Sequence, residues 1–231
     1  MKKSMMQKEL DRELIVAASQ GNLGKVARLL ERGARIDAAI GFGERPLHYA
    51  AGNGFGDVVK LLIARGAKID ATDESGRQPL HRALSNGRED MAELLVAKGA
   101  PVDAGNIWGL QPIHYARSSR GIDLLVAKGA DINARDDDGD TPLHHVVRHD
   151  YLQTVMHLLR IGADPMVLNN EGEMPLDLCR DAEIEVLLRK ASLEWERKSQ
   201  AAREMQEREA LSEHLARQRQ LGSLRPKAPA L

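Results

Sequence analysis

A short motif of proline, leucine or isoleucine, and histidine recurs along the chain at an almost constant spacing. It reads RPLHYA at 45, QPLHRA at 78, QPIHYA at 111 and TPLHHV at 141, with a degraded copy, MPLDLC, at 174. The motif prolines are therefore 33, 33, 30 and 33 residues apart. Self-similarity at a fixed period of this size is typical of a repeat solenoid, in which each unit packs only on its neighbours.

Two glycines mark the same period independently. One follows each leucine-rich run and is itself followed by alanine, and the other stands three residues before each motif proline. The first set is Gly33, Gly66, Gly99, Gly129 and Gly162, and the second is Gly43, Gly76, Gly109, Gly139 and Gly172. Three markers in one register make a chance match an unsatisfactory explanation.

The second unit shows what each repeat can form. Pro46 suits the first turn of a helix, where its missing N–H would have had no intrahelical partner. Asn53 and Gly54 end that helix, Asp57 is placed to cap a second one, and Gly66 stops the second helix in a left-handed conformation. Both helices are too short to be stable alone, so each unit must bury its apolar face on its neighbours.

The motif and its period resemble the ankyrin repeat, a 33-residue unit with a T-P-L-H-x-A core that folds as a β-turn followed by two antiparallel helices. The resemblance extends from about Glu9 to Lys190. It implies an all-α repeat solenoid, an ankyrin array of about six helix-turn-helix units joined by β-turn or hairpin loops, with a C-terminal helical extension. The expected boundaries are an N-terminal tail at 1–8, units at 9–38, 39–71, 72–104, 105–134, 135–167 and 168–190, a charged helical extension at 191–220 and a disordered tail at 221–231.

The resemblance also implies structural roles. In ankyrin repeats the motif histidine bonds the motif threonine hydroxyl and ties neighbouring units together through the backbone. Only Thr141 supplies that hydroxyl here, because the other complete motifs begin with Arg45, Gln78 and Gln111. We expect those units to be less rigid. The structural residues implied are Pro46, His48, Pro79, His81, Pro112, His114, Thr141, Pro142, His144, Gly66, Gly99, Gly129 and Gly162.

The histidine-rich stretch that follows Gly139 has the composition of a metal site. His145 and His149 stand four apart on a predicted helix, but no third ligand is at helical spacing. The neighbouring acidic run does not fit a calcium loop either, because the first and twelfth ligand positions would fall on Ala134 and His145. The sequence therefore predicts no metal and no cofactor.

Composition favours an interaction protein over an enzyme or a nucleic-acid-binding protein. The net charge is −1 and no basic stripe carries interleaved aromatics, so nucleic acid is not an expected partner. Motifs of serine hydrolases, phosphate loops, zinc proteases and dinucleotide sites do not occur, so no catalytic residue is predicted. No apolar run is long enough to span a membrane, and the single cysteine, Cys179, takes the place of a packed alanine. A non-catalytic, cytoplasmic protein is the simplest interpretation.

Partners of ankyrin proteins usually contact a concave face formed by the turn tips and the first helices. The residues flanking the second glycine of each unit are therefore expected to point outward. The candidate partner-binding residues are Phe42, Glu44, Arg77, Ile107, Trp108, Leu110, Asp137, Asp138 and Asp140 in the tips, with Arg148 and His149 at the end of a first helix.

Two of these tips carry large aromatic side chains. Phe42 and Trp108 occupy the same position of units two and four, in a chain with only two phenylalanines and two tryptophans. They either bind a partner or pack on a neighbouring turn or on the N-terminal segment. Beyond them, residues 136–140 with Glu171 and Glu173 form an acidic end, which is either an ordinary solvated turn or a surface that steers a basic partner.

Unit four breaks the period. Its 30-residue spacing removes three residues between Ala116 and Leu124, where the other units carry an inter-helix turn. We predict a tightened helix pair or an unwound helix end, with a kink beside Trp108. The loss either shapes a local concavity for a partner or reflects neutral drift in a tolerant loop. The last unit is cut similarly between Cys179 and Leu187, which suits a terminal cap.

The charged segment after Lys190 is a helix by propensity, but its apolar residues do not hold a heptad. It either extends the last repeat helix into solvent or docks back on the array through Leu193 and Trp195. Two functions remain. The first is a protein-protein interaction module, an adaptor or inhibitor, built on a monomeric array that binds a protein partner. The alternative is a regulatory subunit recruited to an enzyme or membrane complex through the C-terminal helix, including a bacterial effector or immunity role.

Overall fold

The structure, a computed structural model, describes the backbone of residues 2–223 and the side chains of residues 5–217. Its α-helices are α1 (Lys2–Ser19), α2 (Leu23–Glu31), α3 (Pro46–Asn53), α4 (Gly56–Ala64), α5 (Pro79–Ser85), α6 (Glu89–Ala97), α7 (Ser119–Val126), α8 (Pro142–Arg148), α9 (Leu152–Ile161) and α10 (Ala182–Ser223). Two single turns of 3₁₀ helix, Pro112–Tyr115 and Pro175–Leu178, replace the first helices of units four and six. The predicted all-α repeat solenoid of six helix-turn-helix units is confirmed.

The units stack in two layers, one of first helices and one of second helices. Each first helix packs on the first helix of the next unit, and each second helix does the same. One position of the second helix is buried in every unit, and its leucines form a continuous column through the array. They are Leu29, Leu62, Leu95, Leu125, Leu158 and Leu188. Because burying one leucine stabilises a fold by about 1.5–3 kcal/mol, this shared column makes each unit depend on its neighbours.

The motif histidines tie consecutive units together, as the resemblance implied. The Nε2 atom of His48 lies 2.9 Å from the carbonyl oxygen of Arg77 in the next unit, and that of His81 lies 3.1 Å from the carbonyl of Leu110. His144 makes the same contact with Glu173 at 3.2 Å. Since a carbonyl only accepts, Nε2 must carry the proton, which leaves Nδ1 to accept from the backbone N–H three residues earlier.

Burial governs how these histidines titrate. All four side chains lie inside the array, and desolvation lowers the pKa of each, in spite of carbonyl contacts that act in the opposite direction. For His81 the pKa falls to about 4. The neutral imidazole is therefore the form that holds adjacent units together.

Only unit five has the threonine hydroxyl. Thr141 Oγ1 lies 2.8 Å from His144 Nδ1, in addition to the backbone contact. The equivalent Gln78 and Gln111 instead place a buried side-chain oxygen, Oε1, where no hydrogen-bond partner among the described residues reaches it. A buried acceptor without a donor is destabilising.

Replacing both glutamines by threonine should therefore stabilise the array. We expect the double variant Gln78→Thr, Gln111→Thr to raise the free energy of unfolding by about 1 kcal/mol per site, measured by urea denaturation. Gln78→Val serves as the matched control, because it removes the unpaired oxygen without supplying a hydroxyl. Equal stability of the threonine double variant and wild type would contradict this account.

The two shortened units have lost part of a helix. In unit four the motif forms the single 3₁₀ turn Pro112–Tyr115, and α7 starts at Ser119 with Ser118 as its N-cap. An unwound helix end, which was one of the two predicted outcomes, is confirmed, and unit six shows the same change. His114 also departs from its equivalents, since its Nε2 contacts the carbonyl of Ala134 at 3.0 Å.

The termini and one cap differ from the sequence predictions. Residues 2–8, expected to be a tail, belong to α1, which begins at Lys2. Asp57 is not the cap of α4, because the helix begins at Gly56 with Phe55 as its N-cap. Asp57 therefore lies in the first turn, beside Lys60. The extension is continuous with the last repeat helix and runs to Ser223, past the predicted end at 220. The remainder of the predicted disordered tail, residues 224–231, lies outside the described residues.

Candidate functional site

The turn between successive units is a tight hairpin held by one side chain. In unit three, Asp73 Oδ1 accepts hydrogen bonds from the backbone N–H groups of Ser75 and Arg77, both at 2.9 Å. Asn106, Asp136 and Asn169 accept the equivalent pairs of bonds in units four, five and six. The sequence signal was an Asp or Asn three residues before the second marker glycine, which the sequence predictions had missed.

Unit two lacks this device. Ile40 stands where the other units have Asp or Asn, so the turn is closed by the backbone hydrogen bonds from Ile40 to Glu44 at 3.2 Å and from Gly43 to Ile40 at 3.1 Å, which the other units also have. Gly41 and Gly43, on either side of Phe42, both have positive φ values, of 56° and 81°. Glycine adopts this conformation without strain but gains little rigidity from it. The Phe42 tip is thus less constrained than the others.

Backbone hydrogen bonds also run from tip to tip. The carbonyl of Phe42 accepts from the N–H of Glu74 at 2.9 Å, and that of Ser75 accepts from Ile107 at 3.1 Å. The series continues from Trp108 to Asp137 at 3.0 Å and from Asp138 to Asn170 at 2.9 Å. We call the residues so joined the tip row. They are Phe42, Glu74, Ser75, Ile107, Trp108, Asp137, Asp138 and Asn170.

The tip row presents large apolar side chains to solvent. Phe42 is 76% exposed, Ile107 59% and Trp108 51%. The alternative that Phe42 and Trp108 are packed away on neighbouring turns or on the N-terminal segment is therefore wrong. Aromatic side chains such as Phe42 and Trp108 are enriched at the centres of protein interfaces.

Exposed carboxylates alternate with these apolar tips. Glu74 stands between Phe42 and Ile107, and Asp137 and Asp138 follow Trp108. All three acidic side chains are exposed. The row therefore offers apolar contacts next to negative charge.

A small cleft opens beside the tip row, next to the shortened unit. It has a volume of about 140 Å³, and Tyr115 and Arg117 from unit four line it together with His149 and Tyr151 from unit five. The Arg117 guanidinium lies 5.8 Å from the centre of the Tyr151 ring, and His149 stacks on that ring at 5.8 Å. The unwound first helix of unit four leaves this part of unit five uncovered, so the cleft follows from the missing three residues.

Comparison with protein families agrees with this geometry. A model described as ankyrin repeats (3 copies) matches residues 14–106, and one described as ankyrin repeats (many copies) matches residues 120–159. The chain belongs to the ankyrin-repeat family. A search of curated proteins returned no match. Within the described part of this ankyrin chain, no helix combines the length and the apolar character that crossing a membrane requires.

The prediction that the residue after the second marker glycine points outward is wrong. In this ankyrin array Arg77 and Leu110 are half-buried, and their backbone carbonyls accept hydrogen bonds from the motif histidines of the preceding units. Glu44 is only 9% exposed, and its carboxylate lies 2.8 Å from the Arg82 guanidinium. These residues contribute contacts between units, and they expose less of their side chains than Phe42, Ile107 and Trp108 do.

Asp140 was also predicted to point outward, and it is buried instead. It is 2% exposed, with Oδ2 at 2.7 Å from Arg148 and Oδ1 accepting from Asn169 at 2.9 Å. Burial alone would raise the pKa of this carboxyl, but the contacts from Asn169 and Arg148 outweigh it and lower the pKa. Arg148, though exposed, is thus tied to Asp140, whereas His149 remains at the cleft.

Asp136, Asp140 and His145 form a group with ligand atoms within 4.8 Å of one another. The carboxylate oxygens of Asp136 and Asp140 already contact hydrogen-bond donors of the protein. Asp136 Oδ2 lies 2.8 Å from His145 Nε2, its Oδ1 accepts from two backbone N–H groups, and Asp140 contacts Asn169 and Arg148. A metal ion would have to displace these bonds and sit close to the Arg148 cation. The group is accounted for as a structural network that fixes the unit-five tip.

Proposed function

We propose that this ankyrin array is a non-catalytic protein-binding module, an adaptor or inhibitor, that holds its partner along the tip row. The observation that carries the proposal is the exposure of Phe42, Ile107 and Trp108 on turns whose backbones are hydrogen-bonded to one another. Folding gives no reason for apolar side chains at these positions, since other units place polar residues there. Contact with a partner does.

The partner should be a folded protein with a basic patch beside an apolar one. Asp137 and Asp138 of the tip row, with Glu171 in the next tip, would attract the basic patch. Phe42, Ile107 and Trp108 would enter the apolar one. His149 and Arg117 at the cleft extend the same surface towards the first helices.

One observation supports the alternative function, in which the C-terminal helix recruits the chain to a larger assembly. Beyond Ser199 the side chains of α10 up to Arg217 are exposed, so this helix is free to recruit the chain to a larger assembly as a regulatory subunit. An effector or immunity role would belong to this alternative. It places the essential contact on the helix and makes the tip row secondary.

Shortening the helix separates the two functions. A chain that ends at Arg203 keeps the residues of α10 that lie against the array and loses those exposed on all sides. We expect affinity capture from the native host to recover the same partner with this chain as with the full chain. Loss of that partner on shortening, with an unchanged far-ultraviolet spectrum per remaining residue, would favour the regulatory alternative.

A further inference from the structure

The outer half of α10 leaves the array and carries no covering structure among the described residues. Ile184 and Leu188 are fully buried against the array, and Trp195 is half-buried there. From Gln200 to Arg217 the side chains are exposed on every side of the helix. A single helix in water has little stability of its own, because it lacks a face to bury.

Four exposed apolar residues lie close to one line along α10. Val186 is 68% exposed, Leu193 57%, Leu211 60% and Leu215 46%. An α-helix repeats after about 18 residues, or five turns. Leu193 and Leu211 therefore lie on one line along the helix, and the lines through Val186 and through Leu215 are adjacent to it.

Two residues of opposite charge lie on the same face of α10 as these four apolar residues. Glu204 lies on the line of Val186, and Arg197 lies on the line of Leu215. We call these six residues the outer stripe. They are Val186, Leu193, Arg197, Glu204, Leu211 and Leu215. Because the pairs Val186 and Glu204, Leu193 and Leu211, and Arg197 and Leu215 are each 18 residues apart, or five turns of a straight helix, two such helices would pack nearly straight.

The outer stripe of one helix matches the outer stripe of a second helix that runs in the opposite direction. Val186 pairs with Leu215, Leu193 with Leu211, and Arg197 with Glu204. All three pairs are centred on residues 200–202. A second helix running antiparallel about that centre would thus set apolar against apolar and positive against negative. A parallel helix would set Arg197 against Arg197 and Glu204 against Glu204, which is unfavourable.

We propose that a second copy of this chain packs antiparallel on the outer stripe and forms a two-fold dimer. Each contact then occurs twice, as in any isologous interface. The base of the helix offers additional room for the second copy, since an apolar groove of about 300 Å³ lined by Met174, Leu176 and Leu193 borders the stripe. Leu211 of the second copy comes to lie at this groove. The two arrays are held at opposite ends, with both tip rows free, in place of the monomeric array expected from the sequence.

Charge exchange tests the pairing directly. Sedimentation equilibrium of the full chain should show a concentration-dependent dimer. Arg197→Glu and Glu204→Arg should each raise the dissociation constant roughly five-fold, because each substitution removes two exposed ion pairs. The double variant should return it to the wild-type value. These residues are seven apart on one helix, too far to pair within a chain, so recovery can only come from contact between copies.

Replacing apolar residues of the outer stripe by glutamate gives a second test of the dimer. Leu211→Glu with Leu215→Glu should leave a monomer, while Met205→Glu, at a 62% exposed residue away from the stripe, should leave the dimer intact. Far-ultraviolet circular dichroism confirms that the helix persists in each variant. A wild-type chain that stays monomeric at all concentrations, a charge-exchanged variant that does not recover, or a Met205→Glu variant as disrupted as the leucine pair would overturn the proposal.

Cross-linking fixes the orientation. In a Cys179→Ala background, chains with Val186→Cys are mixed with chains carrying Leu215→Cys under mild oxidation. The antiparallel pairing predicts disulfides between the two kinds of chain. Predominant disulfides between two Leu215→Cys chains would show a parallel dimer and sink the antiparallel one. None of these outcomes depends on what the tip row binds.

Discussion

Lowering the pH from 7 to 5 should destabilise the array by about 2 kcal/mol through His81 alone, because its pKa falls from the usual 6.5 to about 4 on folding. At pH 5 the His81 imidazole of the unfolded chain is mostly protonated, whereas that of the folded chain is mostly neutral. The contribution is intact above pH 6.5 and is lost progressively as the pH falls towards 4. His48, His114 and His144 change in the same direction and add to the loss.

Urea denaturation at pH 7, 6 and 5 measures this effect above the range in which most carboxylates titrate. His81→Gln should be less stable than wild type at pH 7 but should lose less stability between pH 7 and pH 5. His149→Gln is the matched control, because it removes an exposed histidine at the end of another first helix, α8. The same pH dependence in His81→Gln and wild type would show that proton exclusion at the unit junction is not the cause.

Removing both aromatic tips should weaken partner capture by at least roughly 100-fold, since interface aromatics each contribute about 2 kcal/mol or more when they are hot spots. The double variant Phe42→Ala, Trp108→Ala should fold as wild type does, because both side chains are largely exposed. Affinity capture from the native host followed by titration of the purified partner gives the measurement.

Met156→Ala is the matched control for this variant. Met156 is 45% exposed on α9, in the layer of second helices away from the tips. It should leave capture unchanged. An aromatic double variant that captures the partner as well as wild type would remove the tip row from the binding surface, and the shortened chain would then indicate whether α10 takes its place.

Much of the fold could be predicted because its determinants are local and repeated. Pro46, His48 and Gly66 each occupy a position whose conformation or hydrogen bonding admits few residue types, and the 33-residue period repeats them. The count of missing residues in unit four predicted either a tightened helix pair or an unwound helix end, and the second is observed. Histidine contacts between units were implied by the family resemblance and are present.

The candidate surface was only partly predictable. Exposure of Phe42 and Trp108 followed from their place at the turn, but Glu44 and Asp140 turned inward towards Arg82 and Asn169, each of which belongs to the next unit. Their direction depends on which residue of the neighbouring unit comes within reach. A pattern within one unit does not contain that information, nor does it reveal the cleft between units four and five.

The uneven closure of the turns has a consequence for recognition. Trp108 is held at its amide by Asn106 and at its carbonyl by Asp137, so binding through it loses little conformational entropy. Phe42, between two glycines and without an Asp or Asn in its turn, can adjust its position to the surface it meets. A rigid anchor in the middle of the tip row, Trp108, and an adaptable one at its end, Phe42, would let related partners of slightly different shape bind the same docking site. Trp108 would fix the position of the partner along the row, and Phe42 would adjust to differences in the partner's surface.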